Sequence, residues 1–220
     1  MRTEGKIVSW DGKKLVIIPA AEDVERISEE IREKRITGVQ LYLDDGRGIS
    51  IEQRKKIFAL VADIAEYSGD YPEYVRHFLT WQFCRVTQRD AFSLSNTDMT
   101  TARLLISFLI EFCFRYSVPT KDTLLHQTDD INRYLWQCIY YRKCAVCNAP
   151  AEIHHVDRVG MGRNRKEIIH EGMKAIALCH AHHGEAHGDE RAFFDKYHVH
   201  GIKLDHRLCE RLKLKGEKIE

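Results

Sequence analysis

The sequence lacks the long apolar run that a membrane-spanning helix or a secretion signal needs. No window of its 220 residues approaches eighteen consecutive apolar residues, and the first six, Met1–Lys6, contain no apolar stretch. We therefore expect a soluble, intracellular protein of the cytoplasm, which would be the host cytoplasm if the chain is encoded by a phage. A membrane partner is not expected.

The sequence also lacks an excess of either charge. Lys and Arg total 34 against 33 for Asp and Glu, a net charge of +1, so the overall charge neither favours nor excludes a nucleic-acid partner. Apolar residues make up 44% and charged residues 30%, a composition that excludes a disordered chain and a coiled coil.

Histidine and cysteine are distributed unevenly. Ten of the twelve histidines lie in residues 143–220, and no residues before this region have the spacing of metal ligands or of a nucleophile. The seven cysteines are an odd number, and disulfides are not expected in a reducing cytosol. On composition we divide the chain into a DNA- or partner-binding domain, 1–142, and a metal-binding domain, 143–220.

The fold class predicted is α+β, with a mainly helical first domain. Asp11-Gly12 between two apolar runs predicts a β-hairpin over residues 6–19, and residues 39–43 alternate like a strand. Ser50 and Gln53 have the spacing of a capping box. Amphipathic periodicity predicts helices over 21–35, from 50 onward, 72–84, 97–117 and 123–142.

A structural zinc site is predicted from two half-sites. Cys144 and Cys147 are separated by two residues, and Cys179 and His182 repeat this spacing later in the chain. Two ligands at this spacing can bind one tetrahedral ion from a tight turn. The four together would close a Cys3His tetrahedron without an open position, which is typical of structural zinc and disfavours a redox or metal-sensing role.

The remaining histidines predict a second metal site. His183 and His187 are four residues apart, so on a helix they share one face. His154 and His155 are adjacent in an extended segment, where successive side chains point in opposite directions. One of this pair can complete the site and its neighbour can accept a proton, an arrangement that fits a catalytic ion and a general base.

These motifs resemble an HNH (ββα-metal) nuclease with an embedded zinc knuckle. The similarity covers about residues 143–205, with the stretches Leu178–His187 and Phe193–Tyr197 most alike. Phage-encoded HNH proteins, including the recombinase-dependent nucleases of the Ref type, are the most similar kind. The resemblance implies a ββα-metal domain and an endonuclease that hydrolyses DNA phosphodiester bonds in phage recombination or replication.

The resemblance also implies roles for individual residues. His154, His183 and His187 would hold the catalytic ion, and His155 would be the base that activates water. The catalytic ion would be Mg²⁺ or Mn²⁺, with Zn²⁺ as a further option, beside the structural Zn²⁺. The products would carry 5′-phosphate and 3′-hydroxyl ends.

One element departs from the family pattern. The middle asparagine of such nucleases usually precedes the second zinc half-site by a few residues, and here residues 172–177 contain none. Asn164 and His170 are the two candidates for its place, and the sequence does not distinguish them.

A basic, glycine-rich loop, residues 158–166, joins the two halves of the predicted site. Glycines allow a close approach to phosphate, and arginine forks match phosphate oxygens. We expect Arg163 and Arg165 to hold the scissile strand; the alternative is a solvated basic loop.

The first domain resembles, in its helical pattern, the Orf-type recombination mediators of temperate phages. Ile49–Ser68 and Phe92–Leu94 carry this similarity, which implies single-stranded or branched DNA, single-strand-binding protein or a recombinase as partners, and a homodimer. The rival hypothesis is therefore a non-catalytic, zinc-containing mediator that binds single-stranded DNA. Helical spacing favours core packing over base stacking for the aromatic residues Trp10, Trp81, Phe92 and Trp136.

Overall fold

A computed structural model of the chain describes residues 5–33, 47–157 and 169–214. Within these residues the fold is α+β, as predicted, with nine α-helices and two small antiparallel sheets. The chain divides into two compact units, Met1–Leu43 and Asp44–Glu220. None of the described helices is both long enough and apolar enough to cross a bilayer.

The first unit begins with the predicted hairpin. Strands β1 (Gly5–Trp10) and β2 (Leu15–Pro19) pair antiparallel. The Asp11 carboxylate accepts hydrogen bonds from the backbone N–H groups of the two lysines after the glycine. Gly12 has a φ of 91°, a value that glycine adopts without strain. The Asp-Gly turn is therefore confirmed.

The helix predicted over residues 21–35 is shorter than expected. A 3₁₀ turn, Ala21–Asp23, leads into α1 (Val24–Arg32). The strand predicted over residues 39–43 lies outside the described residues.

Helices make up most of the second unit. The Ser50 hydroxyl accepts a hydrogen bond from the Gln53 backbone, and the Gln53 side chain accepts one from the Ser50 backbone, so the predicted capping box is confirmed. The helices of this unit are α2 (Ile51–Ser68), α3 (Pro72–Thr87), α4 (Met99–Tyr116), α5 (Leu124–Gln127), α6 (Ile131–Tyr141), α7 (His180–Gly188), α8 (Glu190–Tyr197) and α9 (His206–Leu212).

The prediction of a single helix over residues 123–142 is wrong. The chain forms α5 and α6 with a break between them. The Asp130 carboxylate accepts a hydrogen bond from the Arg133 backbone and so caps the start of α6, while the Lys56 ammonium bonds the Thr128 carbonyl. Asp and Thr side chains offer the backbone alternatives to helical hydrogen bonds, but the apolar periodicity continues through the break and conceals it.

A small sheet lies beside the helices. Strands β3 (Glu152–His155), β4 (Lys174–Leu178) and β5 (Ile202–Lys203) pair antiparallel with β4 at the centre. Helix α6 packs against β4 and α9, and α7 packs against β3 and β4. One apolar core extends from Ile57 in α2 to Leu212 in α9. The division proposed after residue 142 stays a prediction.

Two of the aromatic residues expected in the core are exposed. Trp10 is 62% exposed in the hairpin, and Trp81 is 53% exposed on α3, so the prediction is wrong for both. Phe92 and Trp136 are half-buried against the core, as expected. Helical spacing places residues on a common face, but it does not say whether that face is turned to the core or to solvent.

Candidate metal centres

Three short segments contribute the predicted Cys3His set. Cys144 and Cys147 lie in the turn between α6 and β3, Cys179 directly follows β4, and His182 lies in the first turn of α7. The potential ligand atoms of all four lie within 4.8 Å of one another. The chain therefore brings together the four residues that the two half-sites predicted.

The distances within this cluster fit a tetrahedral ion. The Sγ atoms of Cys147 and Cys179 are 3.8 Å apart, and Nδ1 of His182 is 3.4 Å from Sγ of Cys144. With Zn–S bonds of about 2.3 Å, two sulfurs on one tetrahedral zinc ion lie roughly 3.8 Å apart. The cluster is compatible with zinc.

Asn148 supports the loop that carries the first two cysteines. Its φ of 60° allows the turn to close, and its backbone N–H bonds the Cys144 carbonyl at 2.9 Å. Its side-chain amide donates to the Tyr134 hydroxyl at 2.7 Å, and its oxygen accepts from the Leu124 backbone at 2.8 Å. The Tyr134 hydroxyl in turn donates to the Ala145 carbonyl. The loop is thus attached to both α5 and α6.

The thiols of Cys144 and Cys179 differ in acidity. Burial raises the pKa of Cys144 to about 11. Burial also raises the pKa of Cys179, but the His182 backbone N–H and neighbouring thiols outweigh it, and the net pKa lies below the ordinary 9.0. A divalent ion would deprotonate both thiols on binding, whatever their intrinsic acidity.

A second cluster consists of three imidazoles. His154 lies on β3 and His183 and His187 lie on α7, and their ring centroids are 4.7 to 4.9 Å apart. One ring nitrogen from each lies within 4.8 Å of the others. His154 is 4% exposed, whereas the α7 histidines are more accessible. The cluster therefore offers nitrogen ligands from inside the fold and leaves an approach from the α7 side.

Carboxylates contact two of these imidazoles. Nε2 of His154 is 2.9 Å from Oε1 of Glu190, the first residue of α8. Nδ1 of His183 is 3.6 Å from Oε2 of the more exposed Glu152. An imidazole that bonds a carboxylate through one nitrogen keeps the other for an ion, which is the usual support of a metal-binding histidine. No pattern in the sequence points to Glu190, because it lies 36 residues from His154.

Burial, together with the neighbouring imidazoles of His154 and His187, lowers the pKa of His183 below 6.5. Metal-binding histidines must be neutral. The lowered pKa therefore favours the protonation state that a metal ion requires.

His155 makes different contacts from His154. Its Nε2 atom is 3.1 Å from Nδ1 of His170, and the two rings are 5.1 Å apart between centroids. Since successive strand residues point to opposite faces, β3 directs His154 to the imidazole cluster and His155 to His170. His170 is 8% exposed. The sequence predicts His170 only as one of two candidates for the middle position of the motif and predicts no contact for it.

Other residues singled out in the sequence are placed as follows. Arg163, Arg165 and Asn164 lie outside the described residues. Among the residues that the structure describes, the metal-ligand clusters do not include His180, His198, His200 or His206. The cysteines outside the Cys3His set are all buried: Cys84, Cys113, Cys138 and Cys209.

Comparison with known proteins points to one family. The profile of the family described as "Putative HNHc nuclease" matches residues 23–215. No curated protein and no solved structure matches the chain. The matched region includes both metal clusters and all six described α-helices that precede them, α1 to α6. The chain belongs to this HNH nuclease family.

Proposed function

We propose that this protein is a metal-dependent endonuclease that hydrolyses DNA phosphodiester bonds. Strands β3 and β4 and helix α7 follow one another in the chain, and in this proposal they form the ββα-metal unit of the domain 143–220. Cys144, Cys147, Cys179 and His182 hold a structural zinc ion that fixes the start of α7.

The second ion is bound by His154, His183 and His187. Mg²⁺ or Mn²⁺, or Zn²⁺ as a further option, supplies Lewis-acid stabilisation of the charge that develops on the phosphate oxygens. A structural zinc site uses four protein ligands, whereas the described part of the chain contributes three to this cluster, which in this proposal leaves room for substrate. Glu190 orients His154 through the hydrogen bond to Nε2.

His155 acts as the general base. It takes a proton from water, the water oxygen forms a bond to phosphorus, and the bond from phosphorus to the 3′ oxygen breaks. The departing 3′ oxygen takes up a proton from solvent water. The products carry a 5′-phosphate and a 3′-hydroxyl. In the proposed site, Arg163 and Arg165 contact the phosphates of the scissile strand.

One observation carries this proposal. β3 presents two consecutive histidines to different partners: His154 to the imidazoles of α7, and His155 to His170. A purely structural metal site does not need a further imidazole that follows one of its ligands in sequence. In this proposal the three-nitrogen site holds the ion and His155 supplies the general base, the two functions that hydrolysis of a phosphodiester uses.

The chemistry also fits a role in phage recombination or replication, where single-stranded and branched DNA occur. The resemblance of residues 143–205 to Ref-type nucleases supports this role. It favours a recombinase or single-strand-binding protein as a partner.

Cleavage by the full chain tests the proposal. Duplex plasmid, single-stranded and branched DNA would be incubated with zinc-loaded protein and Mg²⁺ or Mn²⁺. We expect cutting that His155→Ala lowers by at least about 100-fold, while zinc content and thermal unfolding stay unchanged. His77→Ala, at an exposed position on α3, is the matched control and should cut normally. Normal cutting by His155→Ala would refute the assigned base, and no cutting by the wild type would refute the function.

A further inference from the structure

A cluster of arginine and aromatic side chains lies on α6 and α9, apart from both metal clusters. Trp136 and Tyr140 stack on α6 with ring centroids 5.0 Å apart and planes 14° apart. Three exposed arginines surround them: Arg133 on α6, and Arg207 and Arg211 on α9. We call these five residues the arginine–aromatic patch.

The aromatic rings hold the guanidinium groups in place. The Arg207 guanidinium carbon lies 5.2 Å from the Trp136 centroid and 5.3 Å from the Tyr140 centroid. Arg133 lies 5.2 Å from the same tryptophan ring, and Arg211 lies 5.3 Å from the same tyrosine ring. Guanidinium groups over ring faces are attracted to the π-system and lose rotational freedom before any ligand arrives.

Asp205, an acidic residue that contacts the patch, is already engaged. Oδ2 of Asp205 accepts the indole N–H of Trp136 at 2.7 Å, and Oδ1 accepts the Leu208 backbone N–H at the start of α9. Asp205 therefore fixes the tryptophan and the helix.

The charge of two arginines is not compensated within the described part of the chain. Arg133 pairs with Glu111 at 3.3 Å, but neither Arg207 nor Arg211 forms an ion pair with a described residue. Towards the described residues, Arg211 donates a hydrogen bond only through its Nε, to the Tyr140 carbonyl. A guanidinium group has five N–H donors, so most of the donors of these two remain for an external anion.

The patch continues towards the proposed catalytic base. His206, next to Arg207 in sequence, lies 3.5 Å from the Glu171 carboxylate. Glu171 follows His170, which contacts His155. Contacts between neighbouring residues thus connect the patch with the candidate nuclease site in the same compact unit.

We propose that the arginine–aromatic patch binds the sugar–phosphate backbone of the DNA substrate at positions flanking the cleaved phosphate. This rests on the proposed nuclease function. Arginine forks match phosphate oxygens geometrically, and the connection to the base favours a substrate that extends across both places. An acidic peptide is the competing ligand, and its binding is an outcome of the test.

Binding of fluorescein-labelled DNA tests the patch. Anisotropy would be measured for the zinc-loaded full chain with His155→Ala, so that the DNA stays intact. Adding Arg207→Gln and Arg211→Gln removes two charges but keeps planar, long side chains over the rings. We expect the dissociation constant to rise about tenfold or more, and the slope of log affinity against log salt to fall in magnitude by about 2.

Two matched variants localise the effect. Arg207→Lys with Arg211→Lys keeps the charge and should retain most of the salt slope. Arg85→Ala removes an exposed arginine that lies 4.9 Å from the Trp81 centroid on α3, and it should leave DNA affinity unchanged. An unchanged dissociation constant in the double Gln variant would overturn the proposal. An equal loss in Arg85→Ala would overturn it too.

Two further measurements separate the proposal from its alternatives. Poly-glutamate and unlabelled competitor DNA would be compared at equal charge concentration. If poly-glutamate displaced the labelled DNA as effectively as competitor DNA, the patch would be assigned to acidic proteins and the DNA assignment would be overturned. Plasmid cleavage by protein that keeps His155 would be measured in parallel. If the wild type cuts and the double Gln variant binds DNA normally, the patch proposal alone fails. If the wild type neither binds nor cuts DNA, the nuclease function fails with it.

Discussion

The Nε2 atom of His155 lies 3.1 Å from the Nδ1 atom of the buried His170. A neutral imidazole has one donor and one acceptor nitrogen, so between two neutral rings the contact orients His155 and couples its tautomer to that of His170. His170 is thus a positioning residue for the proposed base. Residues 172–177, where the family pattern usually has its middle asparagine, contain no asparagine. His170 is one of the two candidates for that position, and it lies against His155.

We expect His170→Ala to lower kcat about tenfold or more, but by less than the 10²- to 10⁴-fold that loss of a general base costs. KM should change little, because His170 is not expected to touch DNA. His170→Asn, which keeps a hydrogen-bonding side chain, should recover part of kcat. Steady-state cleavage of a labelled oligonucleotide measures both constants. A rise in KM with unchanged kcat would contradict this role.

Glu190 is expected to strengthen the second metal site through His154. Outer carboxylates of this kind typically contribute about 10- to 100-fold in metal affinity, so Glu190→Gln should weaken Mn²⁺ or Zn²⁺ binding to the zinc-loaded protein by that amount. Isothermal titration calorimetry measures it directly. Glu152→Gln is the matched comparison: this exposed carboxylate lies 3.6 Å from His183, and its loss should cost less. Equal affinities for wild type and Glu190→Gln would exclude the supporting role.

Two metal sites of different strength are expected in one chain. Elemental analysis after dialysis should find one tightly bound zinc ion, and titration should find a second, weaker, exchangeable site. His187→Ala should remove only the second. Cys144→Ala should remove the zinc and lower Tm, by about 2–4 °C for each kcal/mol of stability lost. A single site unaffected by His187→Ala would support the non-catalytic mediator instead.

The stability of protein that holds zinc but not the second ion should depend on pH through His183. Its pKa in the folded state is below 6.5, first because of burial and then because of His154 and His187. The unfolded chain therefore binds this proton more tightly, and stability falls as the pH drops below 6.5 until the lowered pKa is passed. Thermal unfolding across this range should be less pH-dependent for His183→Gln and unchanged for His77→Gln. An identical slope in all three proteins would contradict the assignment.

Local patterns in the sequence predicted local structure well. The Asp-Gly hairpin, the capping box of Ser50 and Gln53, and the paired spacing of the zinc half-sites each depend on residues within a few positions of one another. The second half-site forms because α7 begins just after β4, so Cys179 and His182 belong to one short turn.

Contacts between distant segments could not be predicted in this way. Glu190 reaches His154 because α8 packs against α7, which itself packs against β3, and His170 reaches His155 across 15 residues. Trp81 has the spacing of a core residue but lies on the solvent side of α3. Spacing along one helix does not specify which neighbour covers that helix.

His182 and His183 are consecutive residues of α7, yet one belongs to the Cys3His cluster and the other to the imidazole cluster. If the proposed zinc site is filled, loss of its ion would release the N-terminal turn of the helix that also carries His183 and His187. Under the proposed function we therefore expect ordered loading, with zinc bound before magnesium or manganese. In a cell starved of zinc, the protein would remain inactive even where the other divalent ions are plentiful.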